Sequence, residues 1–524
     1  MKKNLLSIAA LFVMSSSVFA GGLITNTNQN VAFLRNVARD ATTEIDAVYS
    51  NPAGLAFMKE DGFHISLNNQ SAFQTRSIVT TFQPFMGYGG DATKTFEGKA
   101  TVPFIPSLQA VYKKDKWTAS FNFAIVGGGG QITFDKGLPS FESQVAYPVG
   151  IYNFDSQNPF PSTTYSLDSR LEGSSIVYGL QLGATYKIND YLSAFVGGRV
   201  NIAKNGYEGY LRNVQLSEET NYVTYFGAKA AGAKGVSSLM QNIAASKDGA
   251  GNATLNNLVA GGALQQAQLD QMASNLGLSS EAFGTLTVDQ AKDAFDNAAA
   301  QADRAAALPS TDMEVDCQQS GLGIAPILGF NFKYDRLNVG IKYEFKTSMD
   351  IENKTKKNTT GVASFNDGVK TPNDIPALLT FGVQYEIIPE KLRASAGFHL
   401  FFDKDAKMEG NKQDHLDHNT YEILFGLEWN ITEKILVSAG MQRTQYGVTD
   451  EYQKDMNFSL SSFSYGFGGA YMITEKMRLN VACFFTDYDK YTKESANYNG
   501  MPLSGKDVFE RTNLAFGLGI DYRF

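Results

Sequence analysis

The sequence predicts an all-β protein, a transmembrane antiparallel β-barrel of about fourteen strands with an N-terminal plug and a long, partly helical outer loop. Three observations carry this. The last dozen residues alternate without a break, with Phe524, Tyr522, Ile520, Leu518, Phe516 and Leu514 on one face and Arg523, Asp521, Gly519, Gly517, Ala515 and Asn513 on the other. Similar stretches recur along the chain and are joined alternately by tight polar turns and long connections. The composition combines abundant aromatics with a polar overall balance, as it must when only alternate residues face lipid.

The 524 residues include 37 Phe, 25 Tyr and 49 Gly but only 2 Trp, and the mean hydropathy is -0.21. A formal net charge of -8 argues against a nucleic-acid partner, which needs a basic face. Four histidines and two cysteines show no metal-ligand spacing, so no metal is expected. Cys483 falls mid-strand on the lipid face and Cys317 in a distant loop, which predicts two free thiols. Residues 1–20 read as a secretory signal peptide: Lys2 and Lys3, an apolar run from Leu5 to Met14, and Val18-Phe19-Ala20 before the cleavage site. No later window is long and apolar enough for a spanning helix. A secreted chain of alternating aromatic strands points to the outer membrane of a Gram-negative cell, with lipid and lipopolysaccharide around it.

Residues 21–58 do not alternate. They carry Val31, Phe33, Leu34, Val37, Ile45, Val48 and Leu55, too much apolar surface to leave in water, and so are expected to pack inside the barrel, with a short helix over 31–38. Strands follow at 62–74, 104–113, 116–134, 174–188, 190–204, 322–334, 336–350, 373–387, 391–403, 418–431, 433–446, 457–472, 475–488 and 508–524. Tight turns such as Asn189-Asp190, Asp335-Arg336 and Thr474-Glu475 alternate with long connections at 75–100, 135–173, 205–320, 351–372, 404–417, 447–456 and 489–507. Short periplasmic turns against long outer loops are the barrel pattern, and both termini then lie on the periplasmic side. On 418–431, Tyr421, Ile423, Phe425, Leu427 and Trp429 face lipid, leaving Glu422, Leu424, Gly426 and Glu428 inside. Closure brings the last strand against the first, because an open edge would leave backbone groups unpaired in hydrocarbon.

Two stretches break the pattern. Gly127, Gly128, Gly129 and Gly130 interrupt the third strand and predict a kink, bulge or gap. The connection 205–320 loses period two, and Leu255, Leu258, Leu269, Met272 and Leu276 recur at helical spacing. Thr287 with Gln290 then opens an Ala-rich helix, so amphipathic helices are expected in this outer loop.

A signal peptide, an apolar N-terminal segment ending in Asn51, Pro52 and Ala53, about fourteen strands and a terminal aromatic together resemble the long-chain fatty-acid transporter (FadL/TodX-type) family of outer-membrane proteins. The resemblance spans 21–524. It implies a monomeric barrel without a cofactor, plugged by a hatch (here 21–58) that carries the Asn-Pro-Ala motif. It further implies passive uptake of hydrophobic or lipid-like ligands, with sideways release at the kink Gly127–Gly130. The terminal strand resembles the signal read by the barrel-assembly machinery.

A ligand carboxylate would need a cation in the lumen. Arg199, Arg393 and Arg478 occupy inward positions and Arg35 and Arg39 lie in the plug; pairing with Glu344, Glu422 or Glu428 is the alternative fate of such charges. Enzymatic activity is not expected. His64 and His399 are inward, His415 and His418 flank a loop, and none adjoins a nucleophile motif. A general diffusion porin and an adhesin or receptor scaffold using 205–320 are the rival readings.

Overall fold

The computed structural model describes residues 22–26, 28–155, 160–246 and 250–524; the predicted signal peptide and Gly21 lie outside them. Fourteen antiparallel strands close a barrel: β1 (Gly62–Phe82), β2 (Thr93–Lys114), β3 (Trp117–Phe134), β4 (Tyr165–Lys187), β5 (Leu192–Leu216), β6 (Met313–Tyr334), β7 (Leu337–Glu344), β8 (Leu378–Ile388), β9 (Leu392–Phe401), β10 (Tyr421–Asn430), β11 (Ile435–Gln445), β12 (Ser462–Thr474), β13 (Met477–Tyr488) and β14 (Gly505–Arg523). Each pairs with its sequence neighbour, and β14 returns to β1 from His64↔Arg523 to Phe82↔Gly505. The backbone N–H of Phe524 donates to Phe63 O at 3.0 Å, and the two rings meet at 5.2 Å, so the aromatic terminus seals the seam. Short strands Asp350–Asn358, Lys370–Pro372 and Tyr491–Ser495 extend the outer rim.

Several strands run further outward than the alternation predicts. β1 continues past 74 to Phe82, β2 begins at Thr93 rather than 104, and β5 and β6 reach Leu216 and Met313. Beyond the bilayer the outward face turns polar, as with Thr75, Ser77 and Thr81, so apolar periodicity fades while backbone pairing continues. Cys317 therefore lies buried in β6, not in a loop; both cysteines are free. The connection 135–173 contains a helix that the sequence reading missed, α3 (Pro139–Phe154). Eleven of its sixteen residues are buried, Ser140, Glu142 and Ser143 among them, so polar and apolar side chains do not sort onto two faces and no helical period shows. The expected helices of the long outer connection occupy α4 (Glu219–Ala245), α5 (Leu255–Ala260), α6 (Gln266–Asn275), α7 (Ser280–Gly284) and α8 (Val288–Ala307), with the Thr287/Gln290 capping box in place. Met240, Leu255, Leu269, Met272, Phe283 and Phe295 give this insert a core of its own. No described helix is long and apolar enough to cross a membrane.

Residues 22–58 fill the lumen. A short α1 (Val31–Arg35), N-capped by Asn30, is followed by α2 (Ala47–Ser50) and a 3-10 turn, Pro52–Phe57, that leads into β1. The wall accommodates this segment through inward glycines. Gly340, Gly382 and Gly397 stand directly opposite one another on β7, β8 and β9, as do Gly426, Gly440 and Gly466 on β10, β11 and β12. A Cβ at Gly382 would lie 2.5 Å from Asp40, one at Gly426 1.7 Å from Asn36 Oδ1 and one at Gly466 2.1 Å from Leu34 O. The bare wall lets the segment's backbone lie against the sheet.

Candidate functional site

Two features of the lumen bear on function: how the N-terminal segment is fastened, and where the wall is incomplete. At its middle the segment is bolted by charge. Arg35 Nη1 donates to Glu428 Oε1 at 2.6 Å, Arg39 Nη1 to Glu428 Oε2 at 2.8 Å and Arg39 Nε to Asp46 Oδ2 at 2.7 Å. Arg393 reaches Glu44 at 2.9 Å and Glu428 at 3.1 Å, while Arg478 reaches Glu44 and Asp521, both at 2.9 Å. Four arginines thus face Glu44, Asp46, Glu428 and Asp521, a balanced network spanning segment and wall. Desolvation inside the barrel would raise the Glu44 carboxyl, but Arg478, Arg393 and Arg39 outweigh it and hold the group well below the ordinary carboxylate range. His399 on β9 adds a second bolt, with Nε2 2.9 Å from Asp40 and Nδ1 2.7 Å from Glu422. Of the other histidines, buried His64 meets Glu60 O at 3.2 Å, and exposed His418 meets Asn419 O at 2.9 Å.

The Asn-Pro-Ala motif is fastened by neutral hydrogen bonds. Asn51 Nδ2 donates to Thr42 O at 3.0 Å and to Asn331 Oδ1 at 2.8 Å, and the Pro52 and Ala53 carbonyls accept from Thr185 and Ser193 at 2.8 and 2.7 Å. Arg199, as expected, points inward, but it is paired with Glu344 at 2.6 Å and Gln181 at 2.7 Å. All five arginines considered for a ligand carboxylate (Arg35, Arg39, Arg199, Arg393 and Arg478) therefore already hold a protein carboxylate.

The wall is incomplete between β2 and β3. Their ladder pairs Gly98 and Lys99 with Phe134 and Thr133 and resumes only at Leu108↔Phe123, so 100–107 of β2 and 124–132 of β3 do not pair with each other. Both strands supply a cause. β2 carries Pro103 and Pro106, neither of which can donate to a ladder. β3 carries the glycines, with Gly128 and Gly130 at φ +74° and +87°, and bulges against β4 between Ile125 and Gly127 and between Gly128 and Gly130. The glycines were legible in the sequence; the prolines opposite them were missed, because recognising them requires the β2–β3 register.

The N-terminal segment covers this gap from inside. Asn26 N donates to Val126 O at 2.8 Å, and its Nδ2 donates to Ile125 O at 3.1 Å and Gly128 O at 2.5 Å. Ile125 N donates to Gln29 Oε1 at 3.0 Å, and Ser107 Oγ of β2 to Gln29 O at 3.1 Å. The segment thus stands in for the missing strand contact. A Cβ on Gly127 would come within 2.7 Å of Ile24 O, and one on Gly130 within 2.8 Å of Val102 Cγ2, so bare glycines admit both the segment and the β2 side chain. On the outer surface, Ser71 Oγ donates to Pro103 O at 2.7 Å and Ile105 N to Asn69 Oδ1 at 3.0 Å, satisfying β2 where it bulges.

Apolar side chains lead to this gap from the outer end. Phe82, Phe85, Tyr152, Tyr165 and Leu211 form one cluster, and Ile78, Ile132, Phe134, Leu171, Phe458 and Phe509 the next. A third joins Val31, Phe33 and Ile105 to Val102 and Ile125 at the gap itself. A cavity of about 310 Å³ lies near the same level, lined by Phe73, Thr75, Thr101, Phe485, Thr512 and Leu514 among others. The first, fourth and last of these are 38–41% exposed while Gln74, Ala100 and Asn513 between them are buried, so this is a groove in the outer surface.

A closed fourteen-strand barrel whose N-terminal segment covers a break in its wall defines a class of plugged antiparallel β-barrels. The chain has the fold of the FadL and TodX structures. It superposes on a Pseudomonas aeruginosa FadL homologue at TM-score 0.58 and 12% identity, covering 96% of this chain and 100% of that one. For the P. putida toluene transporter TodX the values are 0.50 and 14%, covering 97% and 99%. No protein-family model and no curated protein matches the sequence.

Proposed function

We propose that this protein is a monomeric outer-membrane channel that takes up hydrophobic compounds passively and releases them sideways into the bilayer through the gap between β2 and β3. In this reading 22–58 is the hatch, Asn51, Pro52 and Ala53 anchor it, and Gly127, Gly128, Gly129 and Gly130 mark the exit. One observation carries the reading: the β2–β3 ladder is broken where β3 loses its side chains, and neutral hydrogen bonds of Asn26, Gln29 and Ser107 bridge the break. An apolar ligand continuing toward the periplasm would meet the charge network around Glu428. Leaving an apolar site for water costs about 25 cal/mol per Å² exposed, a cost that sideways passage into lipid avoids. Likeness to structures described as a FadL homologue and a toluene transporter supports the same reading. Export through a cleaved signal peptide and insertion by the barrel-assembly machinery at the Phe524 strand belong to it, with lipid and lipopolysaccharide around the wall.

The test is to bind a labelled long-chain hydrophobic ligand to the detergent-purified protein and to measure permeation of small polar solutes through proteoliposomes. The channel binds the first and excludes the second. Free permeation of polar solutes without apolar binding would make it a diffusion porin.

A further inference from the structure

Loop side chains close the outer end of the lumen. Leu138 and Phe141, at the start of α3, and Met456, Phe458 and Leu460, in the connection after β11, are buried in one apolar cluster with residues of β1, β3, β4, β5, β6, β13 and β14. The rest of α3 continues this cover into the next cluster, where Val145, Val149 and Tyr152 join Phe82, Phe85 and Leu211. A ligand therefore reaches the apolar route toward the β2–β3 gap only after part of the cover moves. The wall strands are laddered to their neighbours, whereas α3 pairs with no strand and is held by packing and side-chain contacts. At its N-terminus Ser140 N donates to Asp455 Oδ2 at 2.8 Å, and Asn499 Nδ2 donates to Ser143 Oγ at 3.1 Å. An ion pair fastens it to the wall: Lys94 Nζ on β2 and Tyr165 OH on β4 both donate to Glu142 Oε1, the second at 2.7 Å. Glu142 is buried, and the Lys94 ammonium lies 4.5 Å from the centre of the Tyr88 ring and 5.3 Å from that of Phe85. β3 hands over to α3 through Gly137, at φ +66°, a conformation that side chains other than glycine's rarely adopt.

A salt bridge shielded from water adds little net stability, because its attraction roughly repays the hydration lost, yet leaving either partner alone is costly. Such a pair specifies one closed position without making it deep, since lifting α3 returns both charges to water together. Building on the channel reading above, we propose that α3 is the entry gate of the channel, a lid pivoting at Gly137 and latched by Glu142 on Lys94 and Tyr165, and that hydrophobic ligand enters the outer lumen when the latch parts. The apolar route is then covered at its outer end by α3 and at its inner end by the N-terminal segment.

The test uses the mature protein in detergent and stopped-flow binding of cis-parinaric acid, a fluorescent long-chain probe. When binding waits on an opening step, the observed rate rises with probe concentration and then levels off at the opening rate. Wild type should show this plateau. Glu142→Gln and Lys94→Gln should each raise it by at least about tenfold, because each leaves one charge buried and unpaired in the closed state. Lys94→Arg, which keeps the charge, should stay within about threefold of wild type. Hydrogen exchange of the α3 amides should accelerate in the two Gln variants with β4 and β5 unchanged, and heat-modifiability on a gel checks that each barrel is folded. A wild-type rate that climbs without a plateau, α3 protection unchanged in Glu142→Gln, or faster α3 exchange with the plateau unmoved would each overturn the gate while the channel stands. Failure of wild type to bind the probe at all overturns the channel reading and the gate with it.

Discussion

Glu428→Gln should loosen the N-terminal segment without opening the barrel. Glu428 is 1% exposed and receives Arg35 at 2.6 Å, Arg39 at 2.8 Å and Arg393 at 3.1 Å. The amide keeps the shape but removes the one carboxylate that all three share, leaving an uncompensated positive charge in a network that was balanced. Removing one partner of a buried ion pair costs about 3–5 kcal/mol. The wall's ladders do not depend on this side chain, so the cost falls on docking of 22–58. Hydrogen exchange of the amides of α1 and α2 through local opening should accelerate by about two to three and a half powers of ten, with exchange in β10 and its neighbours unchanged. Unchanged protection of α1 and α2 would refute the argument that charge fastens the segment. Loss of protection in segment and wall together would show that the two open as one unit.

Two further perturbations have definite outcomes. Asp403, fully buried beyond the outer end of β9, accepts from Thr420 N at 3.0 Å, and burial pushes its carboxyl up to about 6. The folded state therefore holds a proton that the unfolded state releases between about pH 4 and 6, so stability falls as pH rises through that window, by up to about 3 kcal/mol. Asp403→Asn should flatten this slope in denaturant unfolding measured from pH 4 to 8, and equal slopes for the two proteins would contradict the assignment. Replacing 236–295 by a short polar turn removes the insert's own core while sparing Tyr222, Phe226 and Ala302, which pack on the outer wall cluster; heat-modifiability and hydrophobic uptake should persist.

The fold was legible because one face of each strand meets lipid, which forces alternation on residues such as Tyr421 to Trp429. It ceased to be legible where that solvent ends. Arg76 lies two residues past the predicted end of its strand and was assigned to a loop, so a buried arginine with no carboxylate within ion-pair distance among the described residues escaped notice while five paired ones were considered. Inward direction was read correctly for Arg199, Arg393 and Arg478, but their partners are set by closure of the barrel: Arg35 meets a glutamate on β10, far along the chain. Gly127–Gly130 announced a kink by composition, whereas Pro103, Pro106 and the hydrogen bonds of Asn26 and Gln29 take on meaning only in register. The inward glycines on neighbouring strands likewise become a seat for the plug only once the strands are aligned.

Lateral release through the break beside β3 is tested most directly by removing that break, and the β3–β4 ladder indicates how. Ile125↔Tyr178 is followed by Gly127↔Val177, and Gly128↔Ile176 by Gly130↔Ser175, so Val126 and Gly129 are the residues in excess. Deleting both should remove the two bulges of β3 against β4 and draw its straightened backbone toward β2, narrowing the break, while Pro103 and Pro106 still withhold their ladder donors. Delivery of a labelled long-chain ligand from solution into the bilayer of proteoliposomes should then fall by at least about tenfold, with binding to the detergent-purified protein preserved. Delivery at the wild-type rate through a straightened β3 would contradict lateral release.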